Sequence, residues 1–156
     1  MSQPTVNGLK VLCFLSFIGF VYCMAFDSSK FLTYSSYDPD SLIEDSAAYE
    51  LISQEVDRWS LNKIDVSKKG IQKVSYLFLA RSIFDVISLL GVTLMFYKMK
   101  LGFSIYTFSQ LLYVLLPFVF FGFAAKEIVP LNMMLVNLIY VALFITQNKH
   151  FIQVKK

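Results

Sequence analysis

The chain has 156 residues, of which 56% are hydrophobic and 16% are charged. Soluble domains usually carry about 25% charged residues and about 45–50% apolar ones, so this composition argues against a soluble globular domain. The net charge of +3 is small, and no basic patch with interleaved aromatic residues occurs, which argues against nucleic-acid binding. The length fits one compact bundle of membrane helices.

The first apolar run covers residues 9–26 and begins beside Lys10. A secretory signal peptide is the alternative interpretation of such an N-terminal run. This run is longer than the usual apolar region of about 7–15 residues, and its one small-residue site, Cys23-Met24-Ala25, is flanked by bulky Tyr22 and Phe26. The sequence therefore favours an uncleaved membrane span.

A long polar segment, residues 27–73, follows the first span and holds nine of the eleven acidic residues. After the turn at Asp38-Pro39-Asp40, an apolar stripe at helical spacing predicts one amphipathic helix from about Ser41 to Ser60. The stripe includes Ile43, Leu51, Ile52, Val56 and Trp59. Two interpretations stay open: a lid that packs on the span ends or lies at the membrane interface, which we favour, or a helix that docks a partner.

Three further apolar runs predict spans at residues 74–97, 103–125 and 128–147. The turns between them are short, at residues 98–102 and 126–127. Pro117 should kink the third span, while Pro130 lies in the first turn of the fourth, where a missing N–H costs little. The predicted fold is all-α: an integral membrane four-helix bundle with one amphipathic extracytoplasmic helix between spans 1 and 2.

The lysines predict the orientation of the spans. Four spans place both chain ends on one side, together with six basic residues and no acidic one: Lys10, Lys98, Lys100, Lys149, Lys155 and Lys156. Lys and Arg concentrate in short cytoplasmic loops. We therefore expect a multi-pass protein of the plasma (inner) membrane with both termini cytoplasmic and residues 27–73 outside.

Polar side chains inside the spans form the candidate site. Arg81 and Asp85 are four residues apart on one helix, so they share a face and can form an ion pair. Asn132 and Asn137 lie at comparable depths in the fourth span, and Gln110 should lie deeper, nearer Ser88 and Thr93. We predict an intramembrane polar cluster of these residues.

This cluster has two interpretations. Ionisable residues within membrane spans often mark a proton relay or a substrate contact. The alternative is a structural staple that fixes the helix register, and the staple is favoured because a carboxylate paired with a permanent cation makes a poor proton carrier. The choice between site and staple stays open at the level of sequence.

Catalytic and metal-binding chemistry is not indicated. His150 is the only histidine, so no Ser–His–Asp set and no metal-ligand spacing occurs. Cys13 and Cys23 are ten residues apart, roughly 15 Å along a helix, which is too far for a disulfide. We expect no enzyme activity, no cofactor and no metal site.

Residues 81–91 (RSIFDVISLLG), Leu94-Met95, residues 98–103 (KMKLGF) and Tyr106 together resemble a pattern in uncharacterised small bacterial integral membrane proteins with four spans. The resemblance covers mainly the second span and the start of the third. It implies a four-helix membrane fold and no particular activity or functional residue.

Two functions are consistent with these observations. The first is a non-enzymatic accessory or structural subunit that docks on a larger membrane partner, suggested by small size and short cytoplasmic loops. The alternative is a small transporter or channel that uses the Arg81–Asp85 cluster, either as a single chain or as a homo-oligomer. Apart from the lipid bilayer, the sequence names no partner.

Overall fold

The computed structural model describes residues 4–37 and 47–152, with side chains described for residues 8–37 and 52–147. These residues form six helices joined by turns, which confirms the all-α fold class. The helices are α1 (Pro4–Ser36), α2 (Ala47–Leu61), α3 (Lys68–Phe96), α4 (Lys100–Phe121), α5 (Ala125–Ile128) and α6 (Leu131–Ile152), with a 3₁₀ turn at Gly122–Ala124 before α5.

Three helical stretches are long and apolar enough to cross a membrane: Gly8–Ser36, Lys68–Phe96 and Lys100–Ile128, each of 29 residues. Their mean hydropathy is 2.1, 1.8 and 1.9. A helix of that length extends about 43 Å, more than the roughly 30 Å hydrocarbon core of a bilayer. Leu131–Gln147 adds a shorter apolar helix. Large apolar side chains such as Phe14, Ile83 and Ile139 are exposed on the outside, as a lipid environment favours, and the fold is an all-α membrane bundle.

The ends of the long helices differ from the predicted bounds: α3 begins at Lys68 and not at residue 74, and α4 ends at Phe121 and not at residue 125. α1 continues ten residues beyond the predicted span end at residue 26, because no Gly or Pro interrupts the chain before Pro39. Asp27 and Lys30 therefore lie on a helix and not in a polar loop. The fourth long helix begins at Leu131 and not at residue 128, since Val129 before Pro130 is extended (φ −115°, ψ 125°).

The four long helices form a closed ring: α1 packs on α3, α3 on α4, α4 on α6, and α6 on α1. Glycine permits the closest of these approaches. A Cβ on Gly91 of α3 would stand 2.7 Å from Tyr106 N, and one on Gly102 of α4 would stand 2.6 Å from Gly91 O. Small residues let membrane helices approach at backbone distance, so these two glycines set the α3–α4 spacing.

α2 covers one end of the ring. Trp59 is 1% exposed and its ring lies 5.1 Å from that of Tyr34, while Ile52 and Val56 pack against the same apolar cluster. The apolar face of α2 is thus covered by the protein's own bundle, as in the lid interpretation. Ile43 lies outside the described residues, and so does the side chain of Leu51.

Two apolar clusters occupy the two ends of the bundle interior. The cluster at the α2 end includes Tyr34, Trp59, Phe78, Tyr113 and Met134. The cluster at the opposite end includes Leu12, Cys13, Met95, Tyr106, Val141 and Phe144. On α3, α4 and α6 the buried polar residues Asp85, Gln110 and Asn137 fall between members of the two clusters. The fold therefore places a polar layer at mid-height in an otherwise apolar interior.

Candidate functional site in the polar layer

Arg81 forms its ion pair with a residue of another helix. Its Nε lies 3.1 Å from Asp27 Oδ2 on α1, and both side chains are fully buried. The Tyr113 hydroxyl donates to the same Oδ2 at 2.8 Å and accepts a hydrogen bond from Arg81 Nη2. The guanidinium also lies over the Tyr113 ring, 4.0 Å from its centroid. These contacts connect α1, α3 and α4.

The structure thus corrects the predicted Arg81–Asp85 pair. Arg81 Nε and Nη2 donate to Asp27 and Tyr113, and Nη1 has no hydrogen-bond partner among the described residues. Helical side chains lean toward the helix N-terminus, so Arg81 extends toward Phe78 and away from Asp85. A cation placed N-terminal to its acid is also the weaker order for an i,i+4 pair.

Asp85 instead faces a cavity. Its side chain is buried, with 3% of the residue exposed, and its Oδ2 has no hydrogen-bond partner among the described residues. The cavity, of about 180 Å³, is lined by residues of α1, α3, α4 and α6. An apolar cavity of about 150 Å³ in another protein holds a benzene molecule, so this one has room for a small organic solute or several waters.

Gln110 leaves a second acceptor in the same cavity. Its Nε2 donates to Ser88 Oγ at 2.9 Å, and Ser88 and Ser109 share a hydrogen bond of 2.8 Å. Gln110 therefore lies beside Ser88, where its position in the sequence predicts it. Within the described part of the chain, Gln110 Oε1 and the buried Ser16 Oγ have no partner. Unpartnered buried polar atoms are costly, and three of the seven among the described residues belong to residues that line this cavity, which makes it a candidate ligand site.

The structure brings most of the predicted cluster together. Asp85, Gln110, Asn132 and Asn137 line the cavity, whereas Arg81 is not among its lining residues. Asn132 Oδ1 accepts the backbone N–H of Met133 at 3.0 Å, and Asn137 is 8% exposed.

Sequence analysis missed Asp27, Tyr113 and Ser16. Asp27 follows the apolar run directly. No Gly or Pro lies between Asp27 and Pro39, which could have indicated that the helix continues and that Asp27 lies on it. Ser16 gave no signal of its own, since a serine hydroxyl within a span can bond to its own helix backbone, and Tyr113 gave none because several other tyrosines lie in the apolar runs.

The polar layer contains two acidic side chains and one basic side chain. The buried ionisable side chains there are one guanidinium, Arg81, and two carboxylates, Asp27 and Asp85. Arg81 is paired with Asp27, which leaves the carboxylate of Asp85 without a neutralising partner of its own. A buried charge without a partner is strongly unfavourable in a low-dielectric environment, so a positively charged occupant of the cavity would be stabilised.

Hydrogen bonds and an ion pair hold α2 against the ring. Glu55 forms an ion pair with Lys30 at 2.7 Å and accepts a hydrogen bond from the Tyr34 hydroxyl, both on α1. Trp59 Nε1 and Arg58 Nη2 donate to the Glu127 carbonyl, at 3.1 and 2.9 Å. The described members of the predicted docking stripe therefore pack against the bundle: Trp59 is buried, and Ile52 and Val56 are partly buried.

α3 begins at a tight turn outside the apolar span. Asp65 Oδ1 accepts the backbone N–H of Ser67 at 2.9 Å, and this bond holds the pKa of the exposed Asp65 carboxyl below its usual range. Ser67 Oγ accepts the N–H of Gly70, where a Cβ would stand 1.9 Å from Asp65 O. The turn fixes where α3 starts and so the height of Arg81 and Asp85.

Cys13 and Cys23 are both free thiols. Among the described residues, no group of three or more His, Cys, Asp or Glu side chains is placed to hold a metal ion. Comparison with protein-family models, curated proteins and solved structures finds no match for the chain.

Proposed function

We propose that this protein binds a small solute in the cavity between its four long helices and carries it through the membrane. One observation supports the proposal above the others: the buried Asp85 carboxyl lines the cavity with its Oδ2 unpartnered among the described residues, while the buried cation Arg81 is paired with Asp27. A staple alone would leave no unpaired carboxylate, so the Asp27–Arg81–Tyr113 contact is the staple and Asp85 is the site.

The depth of the cavity supports transport. Asp85 lies near the middle of the apolar run 74–97, and Asn137 lies near the middle of the run 128–147. Substrate sites of secondary transporters typically lie near the bilayer midplane, between helices. Ionisable side chains at that depth are costly and mark substrate or ion pathways.

We further propose that the protein lies in the plasma (inner) membrane with both termini cytoplasmic. Lys98 and Lys100 stand in the α3–α4 turn, at the same end of the bundle as Lys10 near the start of α1. Positive charge in short loops favours the cytoplasmic side. In this orientation α2 covers the external end of the ring.

An accessory subunit that docks through α2 is the less favoured function. The described apolar side chains of α2 are packed on Tyr34 and its neighbours, which leaves that stripe without the free surface that docking requires. Transport would employ the Asp85 carboxyl, whose Oδ2 has no partner among the described residues, whereas docking would require the apolar face of α2, which packs on the bundle.

Flux into proteoliposomes tests transport. The purified full chain in phosphatidylcholine vesicles is offered radiolabelled butylammonium, 1-butanol, butyrate and rubidium ions in turn, beside the Asp85→Asn variant and empty vesicles. The proposal predicts uptake of at least one probe that exceeds the leak of empty vesicles and is lost in Asp85→Asn. The transport proposal is overturned if the wild-type protein takes up no probe faster than empty vesicles do, or if Asp85→Asn leaves the uptake unchanged.

A further inference from the structure

We propose that the solute is a small organic cation, with a primary ammonium group held at Asp85 and a short apolar body in the rest of the cavity. This inference rests on the proposed function, since it names the substrate class of the same site. Three independent features of the cavity support it: its charge, its unpartnered acceptors and its aromatic lining.

The charge of the lining selects a cation. Asp85 is the only Asp, Glu, Lys or Arg side chain among the residues that line the cavity. Arg81 forms its ion pair on the α1 side of the layer, with Asp27. An anionic solute would add a second negative charge next to Asp85, whereas a monovalent cation would neutralise it, and at short range in a low dielectric this difference is large.

The unpartnered atoms match an ammonium group. Asp85 Oδ2 and Gln110 Oε1 can only accept hydrogen bonds from a ligand, and Ser16 Oγ can also accept one. The Gln110 amide nitrogen is already bonded to Ser88, which fixes its oxygen as the group left for a ligand. A primary ammonium carries three N–H donors and no acceptor, so three donors would meet three acceptors.

The rest of the lining suits an apolar body. The aromatic residues Phe20, Tyr106 and Tyr140 line the cavity together with Val92 and Met133, while Tyr22 and Val136 line its open side and are themselves exposed. Aromatic ring faces attract cations, most strongly where water is excluded. A bare alkali ion would use the oxygens and leave the larger apolar part of the cavity unfilled, and a divalent ion prefers six or more oxygen ligands.

A lipid headgroup is an unsuitable source of this ammonium. Asp85 lies near the middle of its apolar run, roughly 15 Å from either headgroup region in a 30 Å hydrocarbon core. A free amine that enters the bundle is therefore the favoured ligand.

Binding in lipid nanodiscs tests the inference separately from transport. Wild-type protein in phosphatidylcholine nanodiscs is titrated calorimetrically with butylammonium, and then with 1-butanol, butyrate and potassium ions, which keep the size or the charge but not both. We expect saturable binding of butylammonium at neutral pH and binding of the other three at least about tenfold weaker. The reason is that a hydrogen bond to a charged group changes a binding constant roughly ten- to a hundredfold.

Variants identify the site. Asp85→Asn should weaken butylammonium binding about ten- to a hundredfold. Gly19→Leu should abolish it by filling the cavity, since Gly19 lines the cavity and a Cβ there meets nothing within 4 Å. The matched control Asp57→Asn removes an exposed carboxylate on α2, outside the cavity lining, and should leave binding unchanged. Gly19→Leu keeps the test decisive if Asp85→Asn does not fold.

The inference is overturned if butanol or butyrate binds as tightly as butylammonium, or if potassium binds and butylammonium does not. It is also overturned if neither variant changes the binding of butylammonium. The two proposals can fail separately. Asp85-dependent flux of rubidium or butyrate with no butylammonium binding would keep transport and discard the amine. Butylammonium binding without flux would keep the amine site and discard transport.

Discussion

At the scale of single residues, the two buried aspartates have opposite roles. Asp27 accepts hydrogen bonds from Arg81 and Tyr113, whereas Asp85 Oδ2 accepts none within the described chain. The same residue type is therefore a structural partner at one position and an unsatisfied group at the other.

This difference predicts opposite effects on stability. Asp27→Asn should lower the free energy of unfolding by about 3–5 kcal/mol, because it leaves Arg81 as an uncompensated buried charge. Asp85→Asn should leave stability equal or raise it, because it removes an unpaired carboxylate from the interior. Denaturation of the purified protein in mild detergent, followed by circular dichroism, measures both variants against wild type.

The pair Arg81→Met with Asp27→Leu provides the control. Replacing both partners should cost less than Asp27→Asn alone, because no charge is left unpaired. A larger loss from Asp85→Asn than from Asp27→Asn would mean that Arg81 depends on Asp85 after all.

The sequence was sufficient to predict the polar layer but not the ion pair of Arg81 with Asp27. The depths of Asp85, Asn132, Asn137 and Gln110 follow from residue number along the apolar runs, so these residues could be assigned to one intramembrane polar cluster. The partner of Arg81 could not be placed, because it depends on where α1 ends and on which way a long side chain leans. Composition had already assigned Asp27 to a loop.

At the scale of helices, the α3–α4 contact depends on the absence of two side chains. A Cβ on Gly102 would stand 2.6 Å from Gly91 O and from Met95 N, which are backbone atoms that cannot move independently. Ser88 and Ser109 close the same contact one turn further along with their hydrogen bond.

Gly102→Ala and Gly91→Ala should therefore each destabilise the bundle by about 1–3 kcal/mol, the usual cost of overpacking, although alanine favours helix. Gly19→Ala is the matched control, since a Cβ there meets nothing within 4 Å and should not lower stability. The melting temperature in detergent compares the three, and equal melting temperatures would show that α3 and α4 are not in backbone contact.

The α2 contact can be followed through Trp59, the one tryptophan of the chain. Because Trp59 is 1% exposed, its emission should be blue-shifted and weakly quenched by acrylamide. Glu55→Ala removes the partner of Lys30 and of the buried Tyr34 hydroxyl, so it should loosen α2 and increase quenching.

Gln54→Ala is the control for that experiment, because Gln54 is an exposed neighbour on the same helix. It should leave quenching unchanged. Strong quenching of Trp59 in the wild-type protein would contradict a covered α2.

The sequence predicted α2 as a helix and its apolar stripe, but it could not say what the stripe covers. An apolar face requires burial somewhere, and the choice between a partner and the protein's own span ends depends on Tyr34 and Phe78 meeting Trp59 from other helices. That meeting depends on the extension of α1 beyond residue 26, which hydropathy did not indicate.

At the scale of the whole molecule, the two ends of the ring of four long helices differ in what they carry. The α3–α4 turn carries Lys98 and Lys100, and the opposite end carries α2 and the α5 turn. The proposed orientation puts the first end in the cytoplasm.

Cysteine labelling should report that orientation. In a background with Cys13→Ala and Cys23→Ala, Ser60→Cys on the exposed side of α2 should react with a membrane-impermeant maleimide in intact cells. Lys100→Cys should react only after the membrane is permeabilised. The reverse pattern, or labelling of both in intact cells, would contradict the orientation.

Solid-state NMR in lipid bilayers measures most directly which aspartate is in contact with Arg81. Arginine labelled with ¹⁵N at the guanidinium and aspartate labelled with ¹³C at Cγ give a dipolar coupling when the two groups are in contact. We expect a strong Arg81–aspartate coupling that survives in Asp85→Asn and disappears in Asp27→Asn. A coupling that survives in Asp27→Asn and disappears in Asp85→Asn would contradict the pairing and remove the basis for a solute at Asp85.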